Sequence, residues 1–367
     1  MSEKLDLSAL QKSVKDAGAG WQAGPTSMTA LPPEEQVLRL GYIPGPGEPS
    51  LAEREQAATA NYAALKARMM VAAIGAPVSV DWRNFGGNNY ITPIKDQASC
   101  GSCVAFGTCA TVEGAIRIAQ GPGYAIDLSE AHLFYCLGSS TGASCNNGWW
   151  VDPALNGFMN PGVVDEACYP YTAHDQACGV CGDWQSRVNK ITAWHKITSA
   201  ADMKTWLSTR GPLATCFTVY NDFFAYHSGV YTHVSGGVAG GHCVCAIGYD
   251  DTQNCWICKN SWGTGWGDGG FFRIAYGQCG IDGTMWAIDG LIEDKWYSNV
   301  RVQGLWAIDQ DRNAFAFISN NVGWKKVAPD NDNIFFDMLV QLAAAKTGAR
   351  PINIHVYQGV IVQIYVL

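Results

Sequence analysis

Gln97, Cys103, His242 and Asn260 are the residues whose types and settings suit acyl transfer at a thiol. Cys103 closes the run Gln97-Ala98-Ser99-Cys100-Gly101-Ser102-Cys103 and opens a stretch rich in Ala, Val, Ile and Thr that reads as a helix to Gln120. A cysteine at a helix N-terminus feels the positive end of the macrodipole and unpaired backbone N–H groups, which favour thiolate, the nucleophilic form. Such a thiolate needs a base beside it, and the base needs an orienting group. His242 opens one apolar run and Asn260 closes the next, where its amide can accept from an imidazole N–H and fix the tautomer. Gln97, six residues before Cys103, can set its amide beside the Cys103 N–H as a two-donor oxyanion hole.

The elements that position these residues read as helices first and strands later. Cys103 to Gln120 and Leu128 to Leu137, the latter with Ser129 as N-cap, are helical; Ala214 to Val219, His242 to Tyr249, Trp256 to Asn260 and Gly270 to Ile274 are strands between Gly-rich turns. That segregation argues an α+β fold rather than a doubly wound sheet. Ahead of it, Gly41 to Pro49 is punctuated by Pro and Gly and reads as extended, followed by a helix in which Ser50 and Glu53 form a capping box and Leu51, Ala58, Tyr62, Leu65 and Met69 recur at helical spacing. Gly75-Ala76-Pro77 ends that helix, and Val78 to Arg83 reads as a strand. Three segments result: residues 1–77, residues 78–290, and a small module over 291–367 with the order β-β-β-α-β-β. Its parts are Val300 to Ala307, Ala314 to Ile318, Gly323 to Val327, a helix from about Asn331 to Lys346, and a hairpin around Gln358-Gly359.

The motifs Gln97…Cys100-Gly-Ser-Cys103, Gly241-His242 and Asn260-Ser-Trp-Gly-Thr-Gly-Trp-Gly267 together resemble the papain-like cysteine peptidases. His242 and Asn260 lie 139 and 157 residues after Cys103, against about 130–150 in that family. Val80-Asp81-Trp82-Arg83, Ser129-Glu130, Cys145 to Gly148 and Tyr169-Pro170-Tyr171 add to the match, which covers about Val78 to Gly290. The resemblance implies a two-lobed papain-like fold, with a helical left lobe and a β-barrel-like right lobe. It implies Cys103 as nucleophile, His242 as its acid/base partner, Asn260 as orienter, Gln97 in the oxyanion hole and Trp262 shielding the His242–Asn260 bond. Gly148 would pair with an extended substrate, and Trp149, Trp150, Cys216, Gly241 and Thr284 would line an uncharged S2 pocket suited to an apolar or aromatic P2 side chain. It also implies disulfides Cys100–Cys145 and Cys136–Cys178; Cys168–Cys181 is suggested by closeness in sequence alone. The chain departs from the family at Val104, at Asn147 and in an apparent insertion over Asn84 to Tyr90, none of which removes a reacting group.

Composition narrows the rest. The net charge of −8, without a Lys/Arg-rich run, removes the electrostatic footprint of a nucleic-acid binder. The longest apolar stretch near the front, Met69 to Val78, is too short to span a bilayer, so no membrane span is expected. All 14 Cys lie between Cys100 and Cys279, which favours an oxidising compartment and a secreted or periplasmic protein; yet residues 1–21 carry no apolar signal-peptide core, which leaves a cytoplasmic alternative. Cys178-Gly-Val-Cys181 has no second ligand pair at zinc spacing, and Cys255 and Cys258 would point to opposite faces of a strand, so no metal and no cofactor is expected.

The resulting expectation is a monomeric endopeptidase acting on peptides or proteins. Residues 1–77 act as its own latency segment, with either Gly41 to Pro49 or the stretch around Ala72 to Val78 in the groove. Two alternatives stand beside it: a catalytically silent binding protein on the same scaffold, and a transpeptidase using the same acyl-enzyme. Cys103 as a structural cysteine, His242 as a satisfied core histidine and Gln97 as a plain turn residue are the corresponding readings for single residues.

Overall fold

A computed structural model describes residues 5–69, 77–292, 294–320, 322–329 and 331–367. The chain divides into two compact units, Met1–Leu291 and Ile292–Leu367.

The first unit runs α1 (Leu7–Asp16), β1 (Trp21–Ala23), α2 (Pro33–Val37), α3 (Leu51–Met69), β2 (Ser79–Asp81), α4 (Cys103–Gln120), α5 (Val151–Met159), β3 (Ile191–Ile197), α6 (Ala200–Thr209), β4 (Leu213–Tyr220), β5 (Tyr226–Tyr231), β6 (Val238–Asp250), β7 (Cys255–Lys259), β8 (Phe271–Ala275) and β9 (Met285–Leu291). Its sheet follows the order β1-β5-β8-β7-β6-β4-β9-β3 from edge to edge without closing, with β2 added beside β6. One apolar core packs against this sheet around Phe217, Phe223, Trp262 and Trp266, and a second gathers around α4 and α5. α4 is apolar nearly all round, with Cys103 to Cys109 wholly or almost wholly buried, as a helix enclosed between two layers must be. Lys95 anchors its surroundings by meeting Glu130 at 2.8 Å and Glu113 at 3.5 Å.

Both helix signals of the sequence appear, one of them altered. Ser50 and Glu53 close their capping box, with Glu53 Oε2 accepting from the Ser50 N–H at 2.8 Å, and α3 buries Ala58 and Leu65. Ser129 Oγ accepts from the His132 N–H at 2.9 Å, but the helix it caps covers only His132–Leu137 and is wound wide, with i→i+5 pairing. The expected chain stop at Gly75-Ala76 lies outside the described residues.

The front of the chain carries more structure than its polar composition suggests. Asp6 caps α1 by accepting from the Ala9 N–H at 3.0 Å, and Leu10 and Val14 bury one face. β1 then pairs antiparallel with β5, Trp21 facing Gly229, and the Trp21 ring packs 5.2 Å from Tyr231. Gly229 is required there: its φ is +92°, and a Cβ would lie 2.3 Å from the Gly20 carbonyl oxygen.

The second unit corrects one expectation. It has six strands in the order β10-β14-β15-β13-β12-β11: β10 (Asp294–Val300), β11 (Val302–Ala307), β12 (Ala314–Ile318), β13 (Gly323–Val327), then α7 (Asp332–Thr347), β14 (Ile352–Tyr357) and β15 (Val360–Val366). The stretch read as one strand from Val300 to Ala307 breaks at Arg301, with β10 running upstream to pair with β14. Asn299, at φ +53°, turns the chain there. The order is therefore β-β-β-β-α-β-β. The expected hairpin forms, Gln358 and Gly359 both holding positive φ as a tight two-residue turn demands. α7 packs Phe335, Met338, Leu342 and Ala345 against this sheet.

Candidate functional site

Cys103 is the first residue of α4 and is fully buried. The backbone N–H of Cys243, the residue after His242, points at its Sγ from 3.4 Å, so β6 delivers its His-Cys pair to the start of α4. His242 Nε2 lies 2.7 Å from Asn260 Oδ1. The same Oδ1 accepts from the Ser261 N–H at 2.8 Å, which identifies it as the oxygen of the amide and makes Nε2 the protonated imidazole nitrogen. Nδ1 is then the bare nitrogen, and it has no hydrogen-bond partner among the described residues. Trp262 lies over the imidazole with ring centroids 4.6 Å apart, and is itself fully buried.

Gln97 is fully buried, its Oε1 held by the Ser261 hydroxyl at 2.7 Å. Its Nε2 donates to the Cys100 carbonyl at 2.8 Å and to the Arg39 carbonyl, from the front segment, at 3.1 Å.

That segment crosses the site. The N–H groups of Gly41 and Tyr42 both donate to the Gly241 carbonyl, at 3.1 and 3.0 Å; the Trp149 N–H donates to the Gly41 carbonyl at 2.7 Å, and the Ile43 N–H to the Trp149 carbonyl at 3.0 Å. The approach is as close as backbones allow. A Cβ on Gly41 would meet the Gly101 oxygen at 1.9 Å, one on Gly148 the Gly41 oxygen at 2.1 Å, and one on Gly241 the Tyr42 oxygen at 2.3 Å. Tyr42 is buried, and its hydroxyl donates to Glu48 at 3.3 Å. Glu48 is tied in turn to Lys196 at 2.7 Å. Arg54 of α3 reaches beneath: its guanidinium lies 5.5 Å from the Tyr42 ring and 5.3 Å from the Trp286 ring, and donates to the carbonyls of Cys216 and Thr284 at 2.9 and 3.1 Å.

This covering sets the charge state. Burial, reinforced by the neighbouring Cys243, pushes the Cys103 thiol far above its ordinary range, against the backbone N–H groups of Cys243, Gly41 and Tyr42 that would favour thiolate. Burial likewise pushes the His242 imidazole down to about 4, against the hydrogen bond it donates to Asn260. Both shifts favour the uncharged thiol and the uncharged imidazole beneath the segment.

Of the residues singled out from the sequence, Cys103, His242, Asn260, Gln97 and Trp262 converge on this point. Gly148, Trp149 and Gly241 flank the Gly41–Ile43 crossing, while Cys216 and Thr284 are joined through Arg54. Trp150 packs against Gly45, whose Cβ would lie 2.4 Å from its ring. The pairs Cys100–Cys145, Cys136–Cys178 and Cys168–Cys181 are bonded. Cys279 is free, and no group of metal-ligating side chains occurs among the described residues. Sequence reasoning missed Arg54, Ser261 and Cys243. The signal for Arg54 was its place on the stripe of Leu51, Ala58 and Leu65, a cation on the face of α3 that turns inward.

Comparisons with known proteins place the family match inside the first unit. The sequence model of the papain family cysteine protease matches residues 76–288. Cysteine proteinase 2 of Entamoeba histolytica is 37% identical over 221 residues, spanning 57% of this chain and 67% of that protein. Cathepsin B-like CP3 of Giardia intestinalis is 34% identical over 284 residues, spanning 73% and 89%. Among solved structures, procathepsin L2 from Tenebrio molitor larval midgut superposes with a TM-score of 0.62 at 26% identity, covering 77% of this chain and 88% of that one. The procathepsin B S9 of Trypanosoma congolense shares the fold, with a TM-score of 0.62 at 23% identity over 78% and 99%.

Proposed function

This chain belongs to the papain family of cysteine proteases, and from that premise we propose that it is an endopeptidase held latent by residues 1–77, with residues 78–290 as the peptidase and 291–367 as an accessory module. The observation that carries the reading is the arrangement of His242: Nε2 locked onto Asn260, Nδ1 bare, and the next backbone N–H aimed at the Cys103 sulfur.

With the segment withdrawn, water returns to the groove and a proton moves from Cys103 to His242 Nδ1. Thiolate and imidazolium then stabilise each other, aided by the N-terminus of α4. The thiolate attacks the scissile carbonyl, and the oxyanion takes hydrogen bonds from Gln97 Nε2 and the Cys103 N–H. The imidazolium protonates the leaving amine, and a water deprotonated by His242 hydrolyses the thioester. Tyr42, an aromatic side chain set beside Trp149, Gly241 and Cys216, supports an apolar or aromatic P2. For latency the support is the Arg39 carbonyl, which takes the Gln97 N–H that a substrate oxyanion would need. The three disulfides fit an oxidising compartment.

The test is an irreversible peptidyl epoxide with a P2 aromatic group. It should label Cys103 once the segment is removed, and label neither the intact chain nor the Cys103→Ala variant. Equal labelling of the intact and trimmed chains would overturn latency, and cleavage activity surviving in Cys103→Ala would overturn the mechanism.

A further inference from the structure

The mechanism leaves two fully buried thiols unused beside the nucleophile. Cys216 of β4 and Cys243 of β6 are direct partners in the antiparallel register, both free and both fully buried. They are the one pair of free cysteines set directly opposite each other among the described residues. The Cys216 carbonyl accepts from Arg54 and the Cys243 N–H points at Cys103, so neither backbone group is spent on the other strand. This is the non-hydrogen-bonded kind of antiparallel pair, in which Cα atoms stand about 4.5 Å apart and side chains are closest. A disulfide spans Cα separations of about 4.4–6.8 Å.

We propose that Cys216 and Cys243 are a redox-active dithiol that restores an oxidised Cys103. Resting on the reading of Cys103 as nucleophile, the sequence is as follows. A hydroperoxide oxidises the Cys103 thiolate to sulfenic acid, its oxygen–oxygen bond breaking and the second oxygen leaving as alcohol or water. The Cys243 thiolate attacks the Cys103 sulfur and expels hydroxide, which takes up a proton to leave as water. The Cys216 thiolate then attacks Cys243, expelling the Cys103 thiolate and leaving a Cys216–Cys243 disulfide. In sum, two thiols give up two hydrogens and two electrons to one hydroperoxide, and Cys103 emerges reduced. The short first step follows from position: Cys243 is bonded through its own N–H to the sulfur it would rescue.

The experiment frees the groove by proteolytic release of the covering segment, treats the protein with one equivalent of hydrogen peroxide, alkylates remaining thiols in denaturant and maps cross-linked peptides by mass spectrometry. A Cys216–Cys243 cross-link that a thiol reductant removes, with epoxide-titratable Cys103 retained, is the expected result. In Cys216→Ala and Cys216→Ser the same treatment should leave a Cys103–Cys243 cross-link and a loss of most titratable Cys103. Cys103 sulfinic acid in the parent, with Cys216 and Cys243 both still alkylated, would overturn the proposal. Epoxide titration before peroxide tests the nucleophile separately, and the cross-link is read without any catalysis, so the two failures are distinguishable.

Discussion

Replacing Gly41 by Ala should release the latency segment, and the structure sets the size of the effect. The new Cβ would sit 1.9, 2.3 and 2.6 Å from the O, C and Cα atoms of Gly101. All three are backbone, so no rotamer change relieves the contact. Restoring an ordinary separation of 3.4 Å means lifting the segment by ~1.5 Å at its closest point, a little less than the radius of a carbon atom. Four backbone hydrogen bonds fasten Gly41 to Ile43, each contributing about 0.5–1.5 kcal/mol. Losing half of them costs ~2 kcal/mol, and residual overpacking adds ~1 kcal/mol. The open fraction then rises by roughly two orders of magnitude, at about 1.4 kcal/mol per tenfold. The assay is the initial rate of hydrolysis of a fluorogenic peptide with a P2 aromatic residue, by intact chain verified as uncleaved. Gly41→Ala should exceed the parent by ~100-fold, up to the rate of trimmed enzyme, with an unchanged near-ultraviolet dichroism signal from the second core. An intact-chain rate equal to the parent's, while trimmed enzyme is active, would refute the argument that this crossing closes the site.

Arg54→Leu removes the cation beneath Tyr42 and two donors to the Cys216 and Thr284 carbonyls, and should raise the intact-chain rate by about tenfold while leaving trimmed enzyme, which lacks α3, unaffected. Gln97→Ala in trimmed enzyme should lower kcat by about 10²–10³ with little change in KM, as loss of one oxyanion donor does; an equal rise in KM would assign Gln97 to substrate binding instead. Acid should loosen the segment. The His242 imidazole is held down to about 4 in the closed form against about 6.5 when solvated, so protons bind the open form more tightly and closure weakens as pH falls from 6.5 towards 4, with no effect above that window. Hydrogen exchange of the Gly41 to Ile43 amides in Cys103→Ala, corrected for intrinsic rates, reads this directly; protection unchanged across the window would refute it.

The reacting residues are legible in the sequence because each is a side chain whose chemistry has few other uses at its spacing. Cys103 before an apolar helix, His242 opening one strand and Asn260 closing the next require only that β6 and β7 lie beside α4, which the run of apolar residues already demands. The covering was half legible. Gly41 to Pro49 was one of two stretches expected in the groove, yet what fits it there is the absence of a Cβ on Gly41, Gly101, Gly148 and Gly241, and contacts between backbones leave no pattern in side-chain type. α1 and β1 were hidden for a related reason: Leu10, Val14 and Trp21 are too few to set a period, and their burial depends on strands more than 200 residues downstream. Strands β3, β5 and β9 carry mixed patterns such as Thr192, Lys196 and Ser228 because parts of them lie at the surface. The break at Arg301 follows from Asn299 taking a left-handed backbone, a choice that asparagine permits without announcing it.

β1 places a constraint on maturation. Trimming the chain to Val78 would strip the outermost strand from its neighbour and lay open the hydrogen-bonding groups of β5 along with the tyrosine faces that Trp21 had covered. A bare strand margin of that kind invites pairing with other molecules. Two cuts, one between Gly24 and Arg39 and one between Ile43 and Ser79, that left residues 5–24 clipped in place would free the catalytic centre without that hazard, so the durable active species is expected to be a two-chain protein whose small fragment survives gel filtration and parts only in denaturant.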